Sequence, residues 1–229
     1  WRVDAEADSR PCSGPTVVVM GGVHGNEPCG VQAIEGLRDS FRSGERRLHR
    51  GTLYLVIGNP QAVAEGGRVS RDGVDLNRLF DYTFVEELSP SEWRLEHRRA
   101  LQLRRILAEA DGLLDIHSAS APGPSFAIVR EGARSGALVA RMGLPFMVEG
   151  WERCADFIHR VSIGTMREPG QVGVSIECGQ HQDPEAVKVA LAAASGFLME
   201  MGLLLGEREL AVVQHLEVFE IWNRPNSRC

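Results

Sequence analysis

The sequence predicts an α/β fold in which a mixed, mainly parallel central sheet carries helices on both faces. Two observations predict it. Apolar runs of strand length alternate with longer segments of helical pattern, and the strand-length runs are rich in β-branched residues and close at glycine, proline or polar residues. Such alternation is typical of βαβ units, in which helices bury both faces of a sheet.

The strands are assigned from their apolar character and from their ends. Residues 16–21, with the sequence TVVVMG, are β-branched and end in glycine, as a buried strand should. Residues 52–57, TLYLVI, are followed by Gly-Asn-Pro, which signals a turn. The other predicted strands are 112–116, 126–129, 145–148 and 172–178, and the weakly alternating residues 210–222 are typical of an edge strand.

The helices are assigned from periodicity and from residues that favour helix ends. Pro28 is acceptable in the first turn of a helix over residues 28–41. The SPSE sequence at 89–92 has the form of a capping box and predicts a helix reaching about residue 110. The DPE sequence at 183–185 predicts another helix, ending near residue 204. Residues 133–142 follow a helical pattern, and the glycine-bearing stretch 61–74 is interpreted as a long loop.

Composition and charge exclude several classes of function. The 229 residues carry a net charge of −6, which argues against nucleic acid as a partner because phosphate backbones require a basic surface. The one lysine, Lys188, lies within a predicted helix, which argues against Schiff-base chemistry and a P-loop. No apolar stretch predicts a membrane span. Five scattered cysteines without a CxxC pair favour a reducing, cytoplasmic setting over a disulfide framework.

Polar clusters follow the predicted strands, at the edge where open α/β sheets bind ligands. The first, GGVHGNE at residues 21–27, places His24 and Glu27 where both can reach one zinc ion. The second, DIHS at 115–118, puts His117 beside Asp115, a pairing in which a carboxylate orients a metal-binding ring. Taken singly, such residues more often belong to a solvated loop or are core histidines.

Two further clusters offer groups for substrate binding and proton transfer. DLNR at residues 75–78 presents Asn77 and Arg78, which can together grip a carboxylate. SIECG at 175–179 ends a strand with Glu177, whose burial is expected to raise its pKa into a range suited to proton transfer. The alternatives are a surface salt bridge and a buried ion pair. His181, just beyond, is either a pocket residue or, more commonly, a surface histidine.

In this order, the four clusters resemble the succinylglutamate desuccinylase/aspartoacylase family, a branch of the zinc carboxypeptidase-like fold. The similarity covers about residues 17–179, and its specificity lies in the combination of GGxHGNE, NP, DLNR, DIHS and IExG in one chain. The resemblance implies one Zn²⁺ per chain, held by His24, Glu27 and His117. It also implies that Glu177 is the catalytic glutamate.

The resemblance implies further roles, by position, for four arginine and asparagine residues. Asn77 and Arg78 match the pair that binds a substrate carboxylate. Arg68 matches a catalytic arginine that polarises the scissile carbonyl, with Arg71 as a competing candidate. Arg167 matches an arginine that binds the side-chain carboxylate of the substrate.

The function implied by the resemblance is that of a zinc-dependent amidohydrolase, or deacylase. Its substrate would be a small acidic N-acyl amino acid similar to N-succinylglutamate or N-acetylaspartate, with no nucleic-acid or membrane partner. A zinc carboxypeptidase acting on peptide C-termini and a non-catalytic zinc-binding module stay as alternatives. Residues 1–208 are expected to form the catalytic domain, and 209–229 a C-terminal strand or the remnant of a mostly absent β-rich domain. The oligomeric state is left open, homo-oligomers included.

Overall fold

The computed structural model describes residues 1–5, 13–89, 91–130, 135–150, 160–206 and 210–217. Its strands are β1 (Arg2–Asp4), β2 (Thr16–Gly21), β3 (Thr52–Ile57), β4 (Gly112–Ala119), β5 (Phe126–Val129), β6 (Phe146–Glu149), β7 (Val172–Gln180) and β8 (Gln214–Glu217). Its α-helices are α1 (Pro28–Arg42), α2 (Pro60–Glu65), α3 (Tyr82–Glu87), α4 (Leu95–Leu107), α5 (Ser135–Met142) and α6 (Glu185–Glu200). Among the described residues, 3₁₀ turns cover Leu76–Arg78 and Ser162–Thr165.

The described strands form one mixed sheet in the order β1-β3-β2-β4-β7-β5-β6-β8. The four central strands β3, β2, β4 and β7 are parallel, so their carboxyl ends share one edge of the sheet. β1 and β5 run antiparallel to β3 and β7, whereas β6 and β8 extend the sheet beyond β5 in parallel pairs. The predicted mixed, mainly parallel sheet is confirmed.

Two apolar cores lie on opposite faces of this sheet. Val17 and Val19 of β2 belong to the core that also contains residues of α1, α5 and α6, whereas Val18 and Met20 belong to the core that contains residues of α4. Successive side chains of a strand point to opposite faces. Helices therefore cover both faces, as predicted, and β2 is buried along nearly its whole length.

The stretch 61–74 differs from its prediction as a loop, because it begins within helix α2. The side chain of Asn59 caps this helix by accepting a hydrogen bond from the N–H of Ala62 at 3.1 Å, and Pro60 lies in the first turn. The glycines that indicated a loop come after the last helical residue, Glu65, and the first of them, Gly66, caps the end of the helix. The Asn-Pro pair was therefore a helix-start signal as well as a turn signal.

Helix α4 begins later than its capping box predicted. The N–H of Ser89 does donate to Oε2 of Glu92 at 2.9 Å, but this contact closes a turn that ends before the helix. The helix instead follows Arg94, whose N–H donates to Nδ1 of His97 at 2.9 Å. Residue 90, also in the predicted box, lies outside the described residues, and helix α3 was not predicted.

Strand β1 was not predicted. The other strands and the remaining helices agree with their predicted positions to within a few residues. β4 and β7 extend past their predicted ends to Ala119 and Gln180, and α6 ends at Glu200 rather than near residue 204. β8 forms inside the weakly alternating tail and lies at an edge of the sheet; the start of the predicted helix at 133–134 and the tail beyond 217 lie outside the described residues. Within the described ranges, no helix combines the length and the apolar character needed to cross a bilayer.

Helices α5 and α6 approach each other so closely that a glycine is required between them. A Cβ atom on Gly196 of α6 would lie 2.3 Å from the carbonyl oxygen of Arg141. We expect Gly196→Ala to lower the free energy of unfolding by about 1–3 kcal/mol through overpacking, although alanine is the better helix former. Thermal or denaturant unfolding measures the change.

The matched control is Gly136→Ala in helix α5. Apart from its chain neighbours and the backbone of its own helix, no atom of the described residues lies within 4 Å of the position that its Cβ would occupy. The substitution should therefore raise the free energy of unfolding by about 0.5–1 kcal/mol. Equal stability of the two variants would contradict the close helix contact.

Candidate active site

The four polar clusters meet at the carboxyl edge of the parallel strands. His24 and Glu27 lie in the turn between β2 and α1, His117 lies in β4, and Glu177 lies in β7. The segment after α2 brings the DLNR cluster to the same edge. Together these elements line one pocket with a volume of about 310 Å³, at the place where open α/β sheets bind ligands.

The turn that carries His24 and Glu27 packs backbone to backbone against helix α2. A Cβ atom on Gly25 would lie 2.0 Å from both the carbonyl carbon and the carbonyl oxygen of Ala62. Glycine is therefore required for this approach. The backbone N–H of Glu27 donates to the carbonyl of His24 at 3.3 Å, which closes the turn and places both side chains on its inner side.

Three buried side chains converge on one point. Nδ1 of His24 lies 2.8 Å from Oε1 of Glu27, and Nδ1 of His117 lies 2.9 Å from Oε2 of the same carboxylate. Their potential ligand atoms all lie within 4.8 Å of one another, and each residue is at most 3% exposed. Burial alone would raise the pKa of Glu27, but the hydrogen bonds with the two imidazoles outweigh it and hold the pKa well below its usual range.

Each imidazole contacts an aspartate through its second nitrogen. Nε2 of His24 lies 3.0 Å from Oδ1 of Asp75. Nε2 of His117 lies 3.0 Å from Oδ2 of Asp115, where the attraction is electrostatic because the hydrogen-bond geometry is not aligned. Ser162 Oγ donates to the same oxygen of Asp115. Carboxylates in such positions orient the rings of metal-binding histidines, so both Nδ1 atoms point inward. The donor set fits a divalent cation.

Glu177 lies beside this group, paired in register with His117 on the neighbouring strand. Burial raises its pKa, although the nearby imidazoles act in the opposite direction. Its Oε2 atom is buried and accepts no hydrogen bond from the described part of the chain. A carboxylate in this environment has the raised proton affinity that general acid–base chemistry requires.

The predicted substrate-binding residues Asn77 and Arg78 also line the pocket. Oδ1 of Asn77 accepts a hydrogen bond from the N–H of Ser162 at 3.0 Å, so its Nδ2 group is the part that can donate to a ligand. Nη1 of Arg78 donates to the backbone carbonyl of Asn77 at 2.8 Å. The two side chains form an amide and guanidinium pair on one wall.

Of the two competing arginines, Arg68 lines the pocket and Arg71 is not among its lining residues. Nη2 of Arg68 donates to Oδ2 of Asp75 at 3.0 Å, and Nη1 lies 3.7 Å from Oε1 of Glu27. The side chain of Arg68 is half-exposed. It can therefore reach a ligand bound next to Glu27.

Arg167 lies apart from the other predicted site residues. It lines a second pocket of about 250 Å³ together with Tyr82 and Arg104, and its Nε donates to the carbonyl of Gly164 at 2.7 Å. The substrate-binding role assigned to it stays a prediction that this position does not favour.

Several residues that the structure places in or beside the pocket were given no role from the sequence, and two of them, Asp75 and Ser118, contact histidines of the site. Asp75 belongs to the DLNR cluster, and its position two residues before Asn77 was the available signal. Ser118 follows His117 and lines the pocket, where its Oγ lies 2.9 Å from Nδ1 of His181. His181 is thus a pocket residue rather than a surface histidine.

Comparison with known proteins gives this site a family context. The family model described as the succinylglutamate desuccinylase/aspartoacylase catalytic domain matches residues 13–199. The succinylglutamate desuccinylase of Pseudomonas paraeruginosa is 32% identical over 109 residues, a match covering 47% of this chain and 32% of that protein. The N-alpha-acetyl-L-2,4-diaminobutyric acid deacetylase of Halomonas elongata is 25% identical over 221 residues, covering 86% of this chain and 58% of that protein.

A solved structure shares the fold over most of the chain. The product-bound ectoine utilization protein EutE (DoeB) from Ruegeria pomeroyi superposes with a TM-score of 0.73 at 24% identity, covering 91% of this chain and 63% of that one. In each of these matches, less than two thirds of the relative is covered. The family match itself spans most of this chain and includes all four polar clusters. The chain belongs to the succinylglutamate desuccinylase/aspartoacylase family.

Proposed function

We propose that this chain is a zinc-dependent amidohydrolase that cleaves the amide bond of a small acidic N-acyl amino acid. One observation carries the proposal: a single pocket is lined by three buried side chains that could hold a metal ion, by a carboxylate with a raised pKa and by two arginines, Arg68 and Arg78. Family membership supports hydrolysis as the class of reaction, because the relatives described above are named as a desuccinylase and a deacetylase.

The proposed metal is one Zn²⁺ per chain, held by His24, Glu27 and His117. Two imidazoles and one carboxylate form a set that zinc uses in catalytic sites, which keep a coordination position for water or substrate. When bound, the ion supplies Lewis-acid polarisation of a carbonyl and makes water more acidic.

Glu177 is the proposed acid–base group. Its carboxylate takes a proton from the attacking water and passes it to the departing amine nitrogen, after which the carboxylate is regenerated. Arg68 donates to the oxygen of the tetrahedral intermediate. A preorganised donor of this kind lowers the barrier by about 3–4 kcal/mol.

Asn77 and Arg78 hold a carboxylate of the substrate and so orient the amide bond toward Glu177. The net charge of −6 repels an anionic substrate at long range, and the local cluster of Arg68 and Arg78 offsets this repulsion inside the pocket. An acidic substrate is therefore attracted to the pocket, although the protein as a whole repels it.

A substrate panel tests the proposed function. Zinc-loaded protein is offered acetyl, succinyl and longer acyl groups on Asp and Glu, next to peptides with free C-termini. Release of the free amino acid from the acyl compounds is the expected result. Cleavage of the peptides alone would make the chain a carboxypeptidase, and stoichiometric zinc without turnover on any compound would make it a binding module.

The proposed contact between Arg78 and a carboxylate of the substrate gives a separate prediction. Arg78→Ala should raise KM by about ten- to hundredfold, because a hydrogen bond to a charged group contributes about 1.5–3 kcal/mol. The KM of Arg78→Lys should lie between those of the wild type and Arg78→Ala, since lysine keeps the charge but loses the planar, two-pronged guanidinium group. Steady-state kinetics measure both, with Arg71→Ala as the control outside the pocket.

A modified substrate shows which group Arg78 contacts. If the wild-type protein loses affinity when the substrate carboxylate is converted to an amide, Arg78→Ala should lose little more on that compound. An equal further loss on the amide would show that Arg78 does not bind the carboxylate.

A further inference from the structure

Glu96 on helix α4 is a fully buried carboxylate that lies outside the pocket. Its Oε1 accepts hydrogen bonds from Nδ2 of Asn59 at 3.1 Å and from the N and Oγ of Ser70 at 3.1 and 2.5 Å. Its Oε2 accepts from the N–H of Val74 at 3.4 Å. All these donors belong to the segment 59–74, which leads from β3 to the DLNR cluster.

This carboxylate is held by neutral donors. Burial alone would raise the pKa of Glu96, but the hydrogen bonds from Ser70 and Asn59 outweigh it and lower the pKa. A buried anion is costly unless its hydrogen bonds are made. The segment that supplies those bonds is therefore fixed against α4.

One chain of contacts runs from Glu96 to the pocket through the end of this segment. Ser70 and Val74 are bound by Glu96, and Asp75 follows directly. Oδ1 of Asp75 lies 3.0 Å from Nε2 of His24. Oδ2 of Asp75 accepts a hydrogen bond from Nη2 of Arg68, also at 3.0 Å. The position of Asp75 thus depends on the part of the segment that Glu96 anchors.

A second chain of contacts runs through helix α2. Asn59 donates to Glu96 and at the same time caps α2 through the N–H of Ala62. The carbonyl of Ala62 is the group against which Gly25 packs with no room for a Cβ atom. Since Gly25 follows His24 directly, both chains of contacts end at the same histidine.

From this convergence we infer that Glu96 is a positioning residue, which fixes the geometry of His24 and Arg68 from outside the pocket. The inference rests on the proposed zinc site, because its main consequence concerns metal affinity. Loss of Glu96 should allow the turn holding His24 and the segment holding Arg68 to move relative to His117 in β4.

The test is Glu96→Gln, measured as the dissociation constant for Zn²⁺ by competition with a chromophoric chelator. Glutamine keeps the volume, but whichever way its amide is turned, an N–H donor of the segment meets an NH₂ group. We expect the dissociation constant to rise about tenfold, the lower end of the range for losing a direct partner of a metal ligand, because Glu96 acts on His24 through intervening residues. Glu109→Gln, at an exposed position just beyond α4, should leave it unchanged.

Circular dichroism and thermal unfolding separate positioning from support of the fold. A folded Glu96→Gln variant that melts earlier but binds Zn²⁺ as tightly as the wild type would overturn the inference. If Glu96→Gln does not fold, Ser70→Ala decides, because it removes one hydrogen bond and keeps the backbone donor. Several-fold weaker Zn²⁺ binding by Ser70→Ala supports the inference, and unchanged binding overturns it.

A double variant tests whether Glu96 acts through Ser70. The combined Ser70→Ala and Glu96→Gln changes should weaken Zn²⁺ binding no more than Glu96→Gln alone, whereas fully additive losses would contradict that route. A wild-type protein without Zn²⁺ affinity would instead refute the proposed metal site itself, so the two failures are distinguishable.

Discussion

Replacing Glu177 by Gln is expected to lower kcat by about 10²- to 10⁴-fold, the range that general acid–base groups contribute. The metal content should stay at the wild-type level. The substitution keeps the size of a side chain that lies next to the cation-binding triad, and it removes the proton acceptor. Because Oε2 of Glu177 accepts no hydrogen bond within the described residues, no contact that holds the fold is lost at that atom.

Steady-state kinetics and elemental analysis of the same dialysed samples separate the two effects. Glu168→Gln is a suitable control, because this exposed residue carries the same charge change and lies outside the pocket. Turnover by Glu177→Gln within a few-fold of the wild type would remove Glu177 from the proposed mechanism. Loss of metal together with turnover would make it a ligand instead.

The site was predictable to the extent that the topology of the sheet determines it. His117 and Glu177 lie in apolar runs that had to be buried strands, and parallel neighbouring strands bring their carboxyl ends together. Their pairing in register is a finer detail than periodicity provides. The turn with His24 and Glu27 follows another such strand, so it was expected at the same edge of the sheet. The assignment of these residues and His117 as metal ligands came from the resemblance to the family.

The segment between β3 and β4 was less predictable, because its structure depends on contacts distant in sequence. Asn59 and Pro60 indicate the start of a helix, but the glycines near residue 66 led to the prediction of a loop. Nothing local in the sequence shows that the carboxylate of Glu96 is buried against Ser70. Arg167 was assigned by its position ten residues before Glu177, which matches the family, but the path of the backbone after the 3₁₀ turn places it at another pocket.

Replacing His117 by Ala is expected to abolish stable Zn²⁺ binding and, with it, measurable turnover. The change removes one of three donor groups and leaves Asp115, which is fully buried, without the imidazole that it faces. Elemental analysis after dialysis measures the metal, and circular dichroism confirms that the variant is folded. His49→Ala, at an exposed histidine, should keep full metal content and activity.

The size of the loss identifies His117 as a ligand rather than a neighbour of one. Asp115→Asn removes the charge that orients the ring and replaces one carboxylate oxygen with an NH₂ group, and such outer partners typically contribute about 10- to 100-fold to metal affinity. A true ligand must contribute more, so the affinities should fall in the order His49→Ala, Asp115→Asn, His117→Ala. If His117→Ala bound Zn²⁺ as tightly as Asp115→Asn, the imidazole would not be a ligand, and the ion would have to be held by a different set of side chains.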